Sequence, residues 1–306
     1  MAFYPIGKSI SEFRNRNHIS QEEFCEGICS VPNLSRIESG KQNPSKKVLE
    51  ALLSRAGIPI GINNVMVSED ELRRSEIESQ ITYSLMNADF NCKNLLDQYW
   101  NKQDKIDILS KQYYYWAEGT YYFLHEKKYD LGLQLFFDSI KLTYPKFEID
   151  NLPENKLFTL QELKIINSLA ISYHILENKK VTDQLFKYLI SYYQNNKIDE
   201  TIYASQYPLV LFNYINSFNS KDYGEETISL CNKGIDCNVA YRKLTLTAEF
   251  LLIKGFSYCN LNNKEEGKKY IQQSFTLFEI QKQKNYIEKY TKIANKRYNL
   301  GLTYEK

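Results

Sequence analysis

At 306 residues the chain exceeds one ordinary domain of ~100–200 residues, so two domains, or one domain and a repeat array, is the starting expectation. Hydrophobic residues at 43%, charged residues at 25%, 12 glycines and 7 prolines exclude a disordered chain and suit a helix-rich one. The net charge of +2 resides in the front of the chain: residues 1–66 hold eight Lys and Arg against six Asp and Glu, whereas the remainder holds 31 of each sign.

No run of ~18 apolar residues occurs, and the opening MAFYPIGKSISEF lacks the apolar centre of a signal peptide, so a cytoplasmic protein with no membrane partner is expected. The six cysteines are scattered without a Cys-x-x-Cys, and three histidines are too few to complete a metal site. Neither a metal nor any other cofactor is expected. Cys25 and Cys29, four residues apart on one helical face, read as small apolar packing groups.

The first predicted helix, IGKSISEFRNR, places Ile6, Ile10 and Phe13 on one stripe and gives way to a polar turn over residues 15–18. Ser20 with Glu23 three residues on is a capping-box pattern for a second helix, SQEEFCEGI. After a turn at Gly27 and Cys29, Ser30 is the N-cap of a third helix that tolerates Pro32 in its first turn. That helix turns Leu34 and Ile37 inward and stops at Gly40. A fourth, SKKVLEALLSRAG, follows Pro44 and ends at Gly57. Short helices with a tight turn between the second and third are helix-turn-helix organisation. Between Ser30 and Lys47 the basic residues Arg36, Lys41, Lys46 and Lys47 face only Glu38, the charge expected of a phosphate-meeting face. Lys46 and Lys47 are equally readable as a solvated helix start.

The stretch from Ile6 to Ile58 resembles the helix-turn-helix domain of phage Cro/C1-type repressors at almost every position. The resemblance implies that Gln21 holds a DNA phosphate and that Arg14 and Glu38 form an internal ion pair. It also implies that the front of the third helix enters the major groove. The expected DNA-binding set is Gln21, Ser30, Val31, Asn33, Arg36 and Lys41. Asn33 suits adenine, Arg36 suits guanine, and Val31 suits a thymine methyl.

Residues 1–66 are thus expected as the DNA-binding domain and 67–75 as a linker. The helix-breaking Pro59 and Gly61 precede an acidic helix start at SEDEL. Beyond it, helix pairs recur. Their second members are CKNLLDQYW, GLQLFFDSI, TDQLFKYLI, TISLCNKGI and GKKYIQQSF, each after a short polar loop, and NYIEKYTKIANKRYNL reads as a capping helix. Residues 76–306 are therefore expected as five helix pairs and a cap, stacked into a helical-repeat solenoid, and the fold class as all-α. The units resemble tetratricopeptide repeats, most closely WAEGTYY with KKYDLGLQLFFDSI and LLIKGFSY with NKEEGKKYIQQSF.

A Cro-like head on such an array resembles the peptide-pheromone-sensing regulators that include PlcR, Rgg and PrgX. That resemblance implies a homodimer on a two-fold double-stranded DNA operator, controlled by a short signalling peptide in the groove of the repeats. It maps peptide-gripping Asn side chains onto Asn167 and Asn213. An Asn amide both donates and accepts, so it can serve an extended peptide backbone. Tyr115, Tyr122, Tyr173 and Phe250 are candidates for side-chain pockets, although aromatics at helical spacing are more often core. The alternative is a repeat region that only docks proteins or dimerises, with no peptide. The chain holds no phosphate loop, His-Glu-x-x-His or Gly-x-Ser-x-Gly, so catalysis is not expected.

Overall fold

Helix starts follow the capping residues. In the computed structural model, which describes residues 6–58, 69–87, 91–101 and 107–303, Ser20 accepts a hydrogen bond from Glu23 N and Ser45 accepts one from Val48 N. Thr159 and Glu162 form a complete capping box. Among the described residues all regular structure is helical, with α1 (Ile6–Arg16), α2 (Gln21–Cys25), α3 (Val31–Glu38) and α4 (Lys46–Ala56) forming the head. None of these helices is long enough to persist alone in water, so their stability comes from packing. Ile10, Phe24, Leu34, Ile37, Leu49, Leu52 and Leu53 bury together in one core. Leu34 and Ile37 hold α3 there, each contributing roughly 1.5–3 kcal/mol.

Helix pairs follow: α5 (Glu69–Met86) with α6 (Cys92–Asn101), α7 (Ile108–Leu124) with α8 (Tyr129–Thr143), and α9 (Leu160–Ile175) with α10 (Lys179–Asn195). Then come α11 (Glu200–Asn216) with α12 (Glu225–Ala240), α13 (Thr247–Asn260) with α14 (Lys264–Ile280), and α15 (Lys284–Tyr298). The two pairs whose sequences come closest to a tetratricopeptide repeat cross on facing glycines. A Cβ on Gly132 would lie 2.9 Å from Gly119 O, and one on Gly267 would lie 2.8 Å from Gly255 O. Only a residue without a side chain permits that approach.

The chain divides into two compact units, Met1–Asp199 and Glu200–Lys306. In the second, α15 packs Ile287 and Ala294 inward, and Tyr286 and Tyr290 stack on Phe278 of α14. Asn260 accepts from the Tyr298 hydroxyl at 2.7 Å and donates to Tyr223 O at 2.9 Å.

The first unit includes the head, and a buried polar network joins it to the repeats. Arg55 of α4 donates to Phe24 O at 2.9 Å and Glu26 O at 2.8 Å, and its other terminal nitrogen lies 3.4 Å from Glu162 of α9. Glu162 also accepts from Thr143 Oγ1 at 2.8 Å and Thr159 N at 2.7 Å, and Gln112 donates to Thr143 Oγ1 at 2.6 Å. Both members of the ion pair are essentially inaccessible, a placement tolerated only with this many hydrogen bonds.

Two expectations change here. The second helix ends at Cys25 rather than running to Ile28, because Arg55 takes the carbonyls of Phe24 and Glu26 and Gly27 turns at φ +71°. A Cβ at Gly27 would sit 2.1 Å from Thr143 O, so the turn itself bears on the end of α8. The stretch 67–75, expected as linker, is helical from Glu69, and its Glu71 accepts from Lys46 N at 2.9 Å. Residues 67 and 68, with Pro59 and Gly61, lie outside the described residues.

Candidate nucleic-acid interface and candidate ligand residues

The recognition helix is held from behind by charge. Arg14 Nε donates to Glu38 at 2.8 Å and its Nη2 to the other carboxylate oxygen at 3.1 Å, while Nη1 reaches Ile19 O at 2.9 Å. Side-chain exposures of 14% and 7% make this an internal tie rather than a DNA contact. The hydrogen bond to Glu38 is the largest influence on the Arg14 pKa and raises it.

Gln21 makes a contact within the head. Its Nε2 donates to Glu38 at 2.6 Å, so the amide expected on a phosphate completes the Arg14–Glu38 cluster. Glu38 has lone pairs to spare after Arg14 has docked, and Gln21 starts α2 beside it.

The front of α3 presents the opposite picture. Ser30 precedes the helix but makes no side-chain cap bond, and Val31, Pro32, Ser35 and Arg36 are exposed. Arg36 Nε donates to Pro32 O at 3.3 Å, which lays the side chain along the helix, and among the described residues its terminal nitrogens have no partner. Asn33 is half-buried and Lys41 exposed, and neither makes a side-chain hydrogen bond among the described residues. Ser30, Val31, Asn33, Arg36 and Lys41 therefore share the outer face around the start and exit of α3. The sequence reading missed Ser35, exposed on the same face four residues after Val31.

Lys46 and Lys47 do not join them. Lys46 Nζ donates to Ser75 Oγ at 2.9 Å, whereas Lys47 pairs with Glu78, donates to the Tyr99 hydroxyl at 2.9 Å and lies 5.3 Å from the Tyr113 ring centre. Both are turned towards α5 and the repeats.

The expected peptide contacts divide between the two units. In the first, Tyr115 and Tyr122 lie on α7 with ammonium groups near their rings, Lys111 at 5.3 Å from Tyr115 and Lys93 at 5.6 Å from Tyr122. Trp116, beside Tyr115, donates to Ser168 Oγ at 2.9 Å, which brings the middle of α7 against α9 next to Asn167. Tyr173 is half-buried, and burial pushes its hydroxyl pKa up. Asn167 and Asn213, on α9 and α11, are half-buried and neither lacks a partner. Phe250 is a correction: it is fully buried, fills the space left by Gly234 and meets Phe212 edge-on at 6.1 Å. It is core of the second unit.

No helix among the described residues is long and apolar enough to cross a membrane, and none of their His, Cys, Asp and Glu cluster as a metal site.

Residues 10–62 match the family described as Helix-turn-helix. No curated protein matches the chain. Among solved structures, it is similar to Bacillus thuringiensis PlcR in complex with the peptide PapR7 and DNA, at 20% identity over 94% of this chain and 98% of that one, with a TM-score of 0.59. The apo form of the same PlcR aligns at 18% identity, the same coverage and TM-score 0.59. The Streptococcus dysgalactiae SHP pheromone receptor Rgg2 aligns at 16% identity over 95% and 99% of the two chains, with a TM-score of 0.40. Residues 10–62 are accordingly a helix-turn-helix DNA-binding domain, and the chain carries the all-α fold seen in PlcR, a helix-turn-helix head followed by helical repeats.

Proposed function

We propose that the protein is a sequence-specific transcription regulator that binds a two-fold DNA operator as a homodimer, and whose repeat region takes a short signalling peptide that sets its operator affinity. The observation that carries the DNA reading is the outer face of α3, where among the described residues the terminal nitrogens of Arg36 and the Lys41 ammonium have no partner, while Arg14, Glu38 and Gln21 fix the helix from within. A helix that is rigid behind and unpaired in front is arranged to lend its donors to a groove. The peptide reading is supported by likeness of fold to a PlcR structure that contains the peptide PapR7 and DNA, together with Asn167 and Asn213 on first helices of two successive pairs.

Operator and random duplexes compared by fluorescence anisotropy test the first half. Arg36→Ala should lower discrimination by about 1–3 kcal/mol, while Lys41→Ala should weaken all duplexes alike and flatten the salt dependence by about 0.9 in slope. Equal loss of discrimination in both variants defeats the assignment. For the second half, candidate peptides should raise Tm in the parent protein and not in Asn167→Ala/Asn213→Ala. A peptide response that survives in that double variant removes the two asparagines from the site. Pull-down of a protein partner with no response to any peptide favours the docking-scaffold reading.

A further inference from the structure

The first unit contains an open cleft of about 670 Å³ that none of the residues discussed as peptide contacts lines. Its walls come from four elements: Ala51 and Ser54 of α4, Tyr83 and Met86 of α5, Leu109 and Tyr113 of α7, and Leu160, Gln161 and Lys164 of α9. The volume is in the range of sites that take small organic molecules. Apolar atoms make up most of the cleft's exposed surface, with Tyr83 and Met86, 68% and 78% exposed, facing solvent, and Lys47, Glu50 and Glu78 line one side of it.

Two donors in the cleft lack acceptors among the described residues. Gln161 Nε2 is buried with no hydrogen-bond partner, and Lys164, one turn further along the same face of α9, makes no ion pair among the described residues. The other ammonium there, Lys47, is already paired with Glu78, and Glu50 has Lys46 at 3.9 Å. Burial lowers the pKa of Lys164, against the opposing pull of the Glu78 and Glu50 carboxylates, neither of which reaches it as an ion pair. An unpaired buried donor costs free energy that an acceptor recovers, and a charged acceptor recovers more.

We propose that this cleft is a ligand site for an apolar carboxylate, whose carboxylate meets Lys164 and Gln161 and whose hydrocarbon body lies against Ala51, Leu109, Tyr113 and Leu160. The same chemistry is offered by a free monocarboxylic acid and by the C-terminus of a short apolar peptide. Such a ligand touches α4 of the head and three helices of the repeats at once, so its binding reinforces their contact within the first unit. The site stands independently of the peptide reading above, with which it shares no residue.

The test uses the full chain and four probes: decanoate, decanamide, acetyl-Leu-Phe-Leu with a free C-terminus, and the same peptide as its amide. At least one acid is expected to raise Tm and bind by calorimetry, with its amide at least tenfold weaker. Binding of decanoate identifies a free acid as sufficient, and binding of the peptide acid alone identifies a peptide terminus. Lys164→Met should weaken the bound acid at least tenfold, and Ala51→Trp, which sets a bulky ring in the cleft wall, should abolish it, both with parental circular dichroism. The proposal is overturned if neither acid binds, if acid and amide bind equally, or if both variants retain parental affinity. A crystal structure with the cleft filled by the chain itself overturns it as well.

Discussion

Lys41 and Lys47 are six residues apart in a basic stretch, yet they end on different sides of the head. Lys41 is exposed and, among the described residues, unpaired beyond α3. Lys47 sits between Glu78, Tyr99 and Tyr113 at the seam between head and repeats. The same contrast extends along the two helices: α4 gives Lys46, Lys47 and Arg55 each a partner, whereas among the described residues the terminal nitrogens of Arg36 on α3 have none. An excess of lysines therefore does not locate a DNA face. The set proposed to meet DNA is the one for which the fold, among the described residues, provides no carboxylate.

The strongest way to break this contrast is to remove a partner on the satisfied side. Glu162→Ala leaves the Arg55 guanidinium buried without its counter-ion and should cost about 3–5 kcal/mol in urea unfolding. Arg55→Met added to Glu162→Leu should restore only part of the loss, because Phe24 and Glu26 carbonyls would then lack their donor. Full restoration would mean that the carbonyl contacts contribute nothing. Arg14→Ala comes next, at about 2 kcal/mol by thermal unfolding, since Gln21 still donates to the stranded Glu38. A loss as large as that of Glu162→Ala would show the Gln21 contact to be ineffective.

The smallest effects sharpen the comparison most. Lys47→Met should cost about 1 kcal/mol of stability and leave DNA affinity unchanged. Lys41→Ala should leave Tm unchanged and lower DNA affinity at low salt. If both variants lost affinity with the same salt slope, the division between the two sides of the head would be wrong.

The helix pairs were legible because each loop is polar, each second helix carries an apolar stripe, and the two most tetratricopeptide-like pairs keep glycines where their backbones cross. Resemblance to Cro/C1-type domains suggested the Arg14–Glu38 tie. The Gln21–Glu38 contact had no local signal, because it depends on which Glu38 lone pairs remain after Arg14 has docked, a matter of three-dimensional proximity. Phe250 was misread because an aromatic on a repeat helix looks the same whether it faces a groove or a gap. The gap was written sixteen residues earlier, at Gly234. The partner of Arg55 had no local signal, since Glu162 lies 107 residues away. Lys46 and Lys47 left a fainter trace in the acidic run SEDELRRSEIES, which supplies Glu71 and Glu78.

That separation of 107 residues also orders events during synthesis. At ~5–20 residues per second, Arg55 emerges roughly 5–20 s before Glu162 exists. For that interval the nascent head has its own helices and local core, but its arginine has only the carbonyls of α2 and water. Final closure of the buried network waits for the third helix pair, whose Glu162 arrives with Thr159 already placed to cap it. A translation product cut short between α8 and α9 lacks Glu162, and its Arg55 is expected to stay accessible to water, a state that pulse-labelled truncations of the chain would test.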